Sequence, residues 1–399
     1  MLDDPKPEKP IGVLYDSVSN NTGDIAIGIA LQQYLDEKKI RYEIVPPFDY
    51  NSADYSYLII GGGQLIRSTG DPFYDSFRVP GDHILNGVGV DNVDNLDYLN
   101  EYSSVSVRSI SAAEKLNKQY PNLKIEVIPC VATLLDSTNE ENYPQEEKTI
   151  GLHLVADTFT NCPGIIDVLG KLPKPKVTFS FTTYNFDTQL MPAVEIWGIK
   201  HHYRDMNPKQ LHSLIGSMGG VIVSSLHATI FAYTQNIPFL TYYQPKTYEY
   251  LKDRGLERFV FKNTEELIEK LPYLDENWNF THAVSKEKQA VRNYLDINIA
   301  KMNTTKNLVN LEHEVKVSIP EGKHDLFRFQ LEDVISHRDQ LIAANSSTIS
   351  ELRLEIKKLI SKVKGLESEK NDITMSKRWK LANLFFYLLI LCVNVFTAI

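Results

Sequence analysis

The stretch Ile11-Gly12-Val13-Leu14-Tyr15-Asp16 leads through Ser19-Asn20-Asn21-Thr22-Gly23-Asp24 into an apolar-periodic run from Ile25 to Leu35. An apolar run, a polar turn and a helical period read as a buried strand, a tight turn and a helix. Such a turn aims the unpaired N–H groups of a helix N-terminus at one point, where open α/β sheets take anionic ligands. Asn21 and Asp24 are also good N-cap residues, so helix capping without a ligand is the competing reading of this segment alone.

The alternation continues outward from that turn. Tyr42 to Pro46 reads as a strand. Tyr57-Leu58-Ile59-Ile60 runs into Gly61-Gly62-Gly63, and Gly87-Val88-Gly89-Val90 follows. Ser104-Val105-Ser106-Val107-Arg108 precedes a helical Ser111 to Leu116, and Glu126 to Pro129 closes the series. A polar stretch from Asp136 to Pro144 reads as a linker, after which strands recur at Thr149 to Leu154, Lys176 to Phe181, Gly220 to Ser225 and Ile237 to Tyr242, with a helix from Ala228 to Thr234. The expected fold class is α/β, with one Rossmann-like domain over 1–135, a second over 148–285, and a cleft between them.

Beyond them the pattern changes. A helical extension is expected over 286–334. From Ile335 to Leu366 apolar positions alternate steps of three and four, with Asn345 in the seam, which reads as a coiled coil over 335–370 able to form a homo-oligomer. A single long helix packing on its own domain is the alternative. Residues 381–399 carry no charge and follow Lys377-Arg378-Trp379-Lys380. Nineteen helical residues span about 28 Å, close to a bilayer core of about 30 Å. This segment reads as a membrane-anchoring or transmembrane helix with a basic cytoplasmic flank; Asn383 and Asn394 keep an interfacial or oligomer-buried helix open as an alternative.

The chain has 399 residues, 43% of them hydrophobic, and a formal charge of −9. Two cores are affordable at that length, and the acidity with no dominant basic stripe excludes a dedicated nucleic-acid binder. Cys130, Cys162 and Cys392 form neither a CxxC pair nor a disulfide framework, which points to a reducing compartment. The polar start at Met1 to Lys6 has no apolar core of a secretory signal. His201 and His202 are adjacent, would point apart on a strand and lack a ligand cluster, so no metal site is expected.

Chemistry concentrates at a few strand ends. Arg108 ends an otherwise uncharged strand, where a guanidinium suits a carboxylate or phosphate, or simply a structural ion pair. His227 opens the helix after Val221-Ile222-Val223-Ser224-Ser225 and can serve as general acid or phosphate donor, or as a packing residue. Lys246, after Tyr242-Tyr243-Gln244-Pro245, can bring a cation to the same cleft. Gly62 and Gly63 permit close backbone approach.

In order and spacing, NTGD at 21–24, IIGGG at 59–63, GVGV at 87–90, VSVRS at 105–109, SLHA at 225–228 and IPFLTYYQPK at 237–246 resemble the polysaccharide pyruvyl transferase family over roughly residues 11 to 260. The resemblance implies a two-domain GT-B-like fold and transfer of a pyruvyl group from phosphoenolpyruvate to two hydroxyls of a sugar in a cell-surface polysaccharide or lipid-linked glycan, with no cofactor. It implies Arg108 and His227 as catalytic residues, the latter as acid or phosphate contact, and Asn21, Gly23, Asp24, Gly62, Gly63, Ser225 and Lys246 as substrate-binding ones. The chain departs from the family at Ser225, where members carry arginine, and at Ser109 and Cys130, where they carry aspartate. Arg67, Arg204 or Lys246 are the cations that could replace the missing guanidinium. The tail implies work at the cytoplasmic face of a membrane. A nucleotide-sugar glycosyltransferase of GT-B type and a non-catalytic membrane-tethered glycan-binding scaffold are the alternatives.

Overall fold

The computed structural model describes residues 9–18, 21–67, 69–138, 143, 149–181, 198–203, 206–306 and 316–317. The chain divides into two units, Met1–Pro320 and Glu321–Ile399, and every described residue lies in the first. The heptad at 335–370, the apolar segment at 381–399 and Arg204 lie outside the described residues. Among those described, no helix is long and apolar enough to cross a membrane.

β1 (Ile11–Leu14) is buried along its whole length, as a strand inside a parallel sheet covered on both faces must be. Asn21 then caps α1 (Thr22–Glu37), its side-chain oxygen accepting from the Gly23 N–H at 3.1 Å. The chain continues through β2 (Tyr42–Val45), the short β3 (Tyr50–Asn51), β4 (Leu58–Gly61), α2 (Pro72–Asp75), β5 (Ile84–Val88), β6 (Ser104–Val107), α3 (Ile110–Gln119) and β7 (Ile125–Val127). Six of these strands form a parallel sheet in the order β2-β1-β4-β5-β6-β7. The order reverses between β1 and β4, so a crevice opens at their carboxyl ends.

The second half repeats the plan with β8 (Ile150–His153), α4 (Ala156–Asn161), α5 (Ile165–Gly170), β9 (Lys176–Phe179), β10 (Ile199–Tyr203), α6 (Pro208–Gly216), β11 (Gly220–Val223), α7 (Leu226–Thr234), β12 (Phe239–Tyr242), α8 (Pro245–Lys252), β13 (Val260–Phe261), α9 (Thr264–Lys270) and α10 (Thr281–Lys306). Its sheet runs β10-β9-β8-β11-β12-β13, again parallel, with the reversal between β8 and β11. A final pair of residues, β14 (Lys316–Val317), lies antiparallel to β3.

Of the element boundaries that differ from the sequence pattern, two illustrate local causes. The strand read at Gly87 to Val90 starts three residues earlier, at Ile84, and ends at Val88, where the register shifts between Leu85 and Val88 and Gly87 takes a φ of 60°. The helix read from Ala228 starts at Leu226, because the Ser225 hydroxyl caps it by accepting from the Ala228 N–H at 3.4 Å.

The two halves share one hydrophobic cluster, which runs from Val13, Ile27 and Leu31 in the first to Ile222, Phe231 and Leu240 in the second. α7 is buried on every face from Leu226 to Tyr233, the signature of a helix enclosed by protein all round. It lies between its own sheet, α6, α10 and the turn Val131–Leu134 of the first half. α10 belongs to both halves. Near its start Glu287 meets Arg254, with Nε to Oε1 at 2.9 Å and Nη2 to Oε2 at 3.1 Å, and accepts from the Tyr233 hydroxyl at 3.0 Å. Further along, the Tyr294 hydroxyl donates to the Leu85 carbonyl at 2.8 Å, and Arg292 grips Glu37 through two bonds of 2.8 Å.

The Arg254 guanidinium, stacked 3.4 Å from the centre of the Tyr250 ring, has only 10% of its side chain exposed and Glu287 only 15%. Glu287→Ala strands that buried cation, so chemical denaturation is expected to show a loss of about 3–5 kcal/mol. Exposed Glu37→Ala, which cuts the bond to Arg292 at the other end of the same helix, is expected to cost no more than about 1 kcal/mol.

Candidate active site

The N-termini of α1 and α7 meet end to end between the two halves. A Cβ on Gly23 would fall 2.0 Å from His227 Nδ1 and 2.9 Å from its Cβ, so the absence of a side chain at position 23 is what lets the imidazole lie against the first turn of α1. The Thr22 N–H, in that same turn, donates to the Phe181 carbonyl of the second half at 2.8 Å. Two helix N-termini pointing at one space make it electropositive before any side chain is counted.

Every other contributor arrives from the carboxyl end of a parallel strand. Gly62 and Gly63 follow β4 with φ of 111° and 57°, and a Cβ on Gly63 would sit 3.0 Å from an Asp24 carboxylate oxygen. The backbone there turns to give Asp24 an N–H bond from Gly63, while Asn21 Nδ2 donates to Asp24 Oδ2 at 2.8 Å. Gly89, past β5, leaves room for Arg108, whose Nη2 would lie 2.6 Å from a Cβ at that position. Arg108, just after β6, is 5% exposed, and its Nη1 is buried without a hydrogen-bond partner. Cys130, after β7, places Sγ 3.8 Å from His227 Nε2.

The charges are coupled. Burial, with Arg108 and Lys246 adding to it, holds the His227 imidazole well below the usual histidine value, so it is neutral at physiological pH. Lys246, in the first turn of α8, reaches solvent but is surrounded by protein, as a side chain on a cleft wall is; that surrounding lowers its ammonium, Arg108 lowers it further, and Asp24 opposes both. The Asp24 carboxyl is pushed up to about 6 by burial and then by Asp16, against the pull of Arg108, Lys246 and the Gly63 bond. Burial also pushes the Cys130 thiol up. One carboxyl thus titrates at about 6, between a second acid, Asp16, and two cations, Arg108 and Lys246.

The structure therefore gathers Asn21, Gly23, Asp24, Gly62, Gly63, Arg108, His227 and Lys246 at one place, and gives Asn21 and Ser225 capping bonds as well. Ser109, at the second departure from the family pattern, caps α3 by accepting from the Ala112 N–H at 3.3 Å. Asp16 and Gly89 were not singled out in sequence. Asp16 follows β1 as Arg108 follows β6, and a lone acid at a strand end was a usable signal; nothing local marks Gly89 as the residue that admits Arg108. Away from the cleft, His202 bonds Thr178 at 2.6 Å and His201 lies on the Tyr203 ring, and among the described residues no group of three or more His, Cys, Asp or Glu could hold a metal ion.

The polysaccharide pyruvyl transferase family matches residues 21–244. No protein of curated function matches the chain in sequence. Among solved structures the S. aureus MnaA–UDP co-structure aligns with 76% of this chain and 99% of its own at 11% identity and a TM-score of 0.50. UDP-GlcNAc 2-epimerase from Methanocaldococcus jannaschii aligns with 73% and 99% at 10% identity and a TM-score of 0.47, and Acinetobacter baumannii MurG with 74% and 100% at 12% identity and a TM-score of 0.41. At such identities the likeness is one of fold, the GT-B-like pairing of two parallel-sheet α/β domains.

Two outcomes are expected of these groups. Because Asp24 holds its proton more tightly folded than unfolded, its ionisation costs stability as pH rises from about 4 to 6, and the full penalty, on the order of 2–3 kcal/mol, persists above that. Asp24→Asn should raise the melting temperature at pH 8 and leave it nearly unchanged at pH 4. Gly23→Ala should lose about 1–3 kcal/mol, and His227→Ala in the same chain should restore part of it, a coupling that a double-mutant cycle measures directly.

Proposed function

The chain belongs to the polysaccharide pyruvyl transferase family, a family of polysaccharide-modifying transferases, and we propose that its cleft transfers the pyruvyl group of phosphoenolpyruvate to two hydroxyls of one sugar, leaving a cyclic ketal and inorganic phosphate. The observation that carries this reading is the buried Arg108 guanidinium with an unsatisfied Nη1, beside Lys246 and His227 and opposite Asp24. A buried donor left unpaired costs free energy, and an arriving anion relieves it. Phosphoenolpyruvate brings two anionic groups, a phosphate and a carboxylate, to a site with two principal cations.

In this reading Arg108 and Lys246 clamp the donor between the two helix N-termini. Its negative charge offsets their fields at His227, which gains proton affinity as the donor binds. His227 then delivers a proton to C3, turning the methylene into a methyl group, while a first sugar hydroxyl adds to C2. Asp24 accepts the hydroxyl proton, a task suited to a carboxyl that is ionised just above pH 6. The second hydroxyl forms the other C2–O bond as the phosphate leaves with its ester oxygen, and its proton passes to the released phosphate or to solvent. Ser225, serving as a cap, leaves Lys246 as the second cation in place of the family arginine.

The apolar segment at 381–399 would hold the enzyme at the cytoplasmic face of a membrane, where tethering raises its effective concentration near a lipid-linked acceptor, and the heptad at 335–370 would assemble copies of it. Full-length protein incubated with phosphoenolpyruvate and a panel of glycans should release phosphate and yield a product heavier by one pyruvyl ketal. His227→Ala and Asp24→Asn should each lower the rate by about 10²–10⁴, and kcat/KM should fall as pH drops through about 6, where Asp24 gains its proton. Absence of turnover across the panel, with stabilisation by a nucleoside diphosphate and not by phosphoenolpyruvate, would overturn the donor assignment.

A further inference from the structure

A third cation, Arg67 of the first half, follows the strand ends that line the cleft and forms no ion pair with an acid among the described residues. Residues leaving β4 run alongside Gly89 and Val90, through a bridge between Ile66 and Val90 and a bond of 3.3 Å from the Ile66 N–H to the Gly89 carbonyl. This carries the chain past the glycine against which Arg108 packs. Arg67 comes next. Its guanidinium lies 3.9 Å from the centre of the Tyr74 ring and makes no hydrogen bond or ion pair with any described residue.

The acids nearest to it in sequence are already engaged. Asp71 caps α2, accepting from the Phe73 N–H at 3.0 Å and the Tyr74 N–H at 3.4 Å. Asp75 pairs with Arg78 at 3.2 Å and accepts from the Gly70 N–H at 2.8 Å. Tyr74 meanwhile feels the charges of Asp24 and Asp16, so the Arg67–Tyr74 stack lies within electrostatic reach of the carboxyl that faces the acceptor. Both side chains are half-buried. An arginine held flat on an aromatic ring has lost much of its rotamer freedom in advance, and its fork matches a carboxylate or phosphate through two parallel bonds.

The charge count then becomes informative. Arg108, Lys246 and the two helix N-termini together answer the phosphate and carboxylate of the donor, which leaves the Arg67 fork for an anion on the acceptor. From this we propose that Arg67, stacked on Tyr74, is the acceptor-selecting residue, and that the acceptor is an acidic sugar carrying a carboxylate or a phosphate close to the hydroxyls that receive the ketal. The inference rests on reading the cleft as a pyruvyl-transfer site. It narrows the acceptor class from glycans in general to anionic ones, and Tyr74 serves as the positioning residue that keeps the Arg67 fork facing the cleft.

Direct titration of full-length protein tests it without turnover. The probes are matched pairs: oligosaccharides ending in glucuronic or galacturonic acid against the same chains ending in glucose or galactose, and hexose phosphates against the free hexoses. Wild-type protein should bind at least one acidic member tenfold or more tightly than its neutral partner, with the uronic and phosphate arms showing which anion is preferred. Arg67→Ala should bring that ratio close to one, Arg67→Lys should retain only part of it, and Tyr74→Leu should weaken it with the charge intact. Equal affinities within every pair, no binding by any acidic member, or an unchanged ratio in Arg67→Ala would overturn the proposal. Phosphoenolpyruvate titrated alone reports separately on the donor: acid-selective saccharide binding that depends on Arg67 supports the acceptor assignment even where phosphoenolpyruvate fails to bind.

Discussion

The structure turns on the contact between Gly23 and His227. Two helices from different halves of the chain approach N-terminus to N-terminus, an arrangement that sets like partial charges against each other. It persists because the surrounding core is shared, because Thr22 bonds Phe181 across the junction, and because α10 is bound to both halves through Glu287 at one end and Tyr294 at the other. The space beside the helix ends is positive.

That electrostatic setting governs the side chains around it. His227 stays neutral because burial, Arg108 and Lys246 all oppose a further positive charge. Asp24 would be expected to ionise freely beside such cations, yet desolvation and Asp16 outweigh them and its carboxyl settles at about 6. The cleft thus holds one buried donor without a partner, Arg108 Nη1, beside an acid reluctant to ionise. Stability given up at Asp24 and Arg108 is the usual signature of residues kept for chemistry.

Much of the fold was legible in sequence because it is local. The apolar strands, the Asn21 cap and the strand-ending Arg108 all announce themselves within a few residues, and the order of motifs marked the family. The two sheets fall on either side of residues 135–148, while the apolar cluster that includes Leu31 and Phe231 crosses that stretch, a long-range packing with no local pattern. Strand Ile199–Tyr203, with its polar Lys200-His201-His202, lacks the apolar run that marks its neighbours. It is an edge strand, where one side needs no cover.

What the sequence by itself determined is the alphabet of the site: which residue types stand at which strand ends, and that they are types suited to an anion. What only the tertiary structure decided is their meaning. The pairing of residue 23 with 227, of 130 with 227 and of 254 with 287 joins distant parts of the chain, and no local periodicity encodes such contacts. The proton affinities of Asp24 and His227 follow from those contacts, because a charge is tuned by what surrounds it in space rather than by what adjoins it in sequence. Arg67 is the plainest case: in the sequence it is one cation among several, and only the ring of Tyr74 beneath it, with no ion pair to an acid among the described residues, sets it apart.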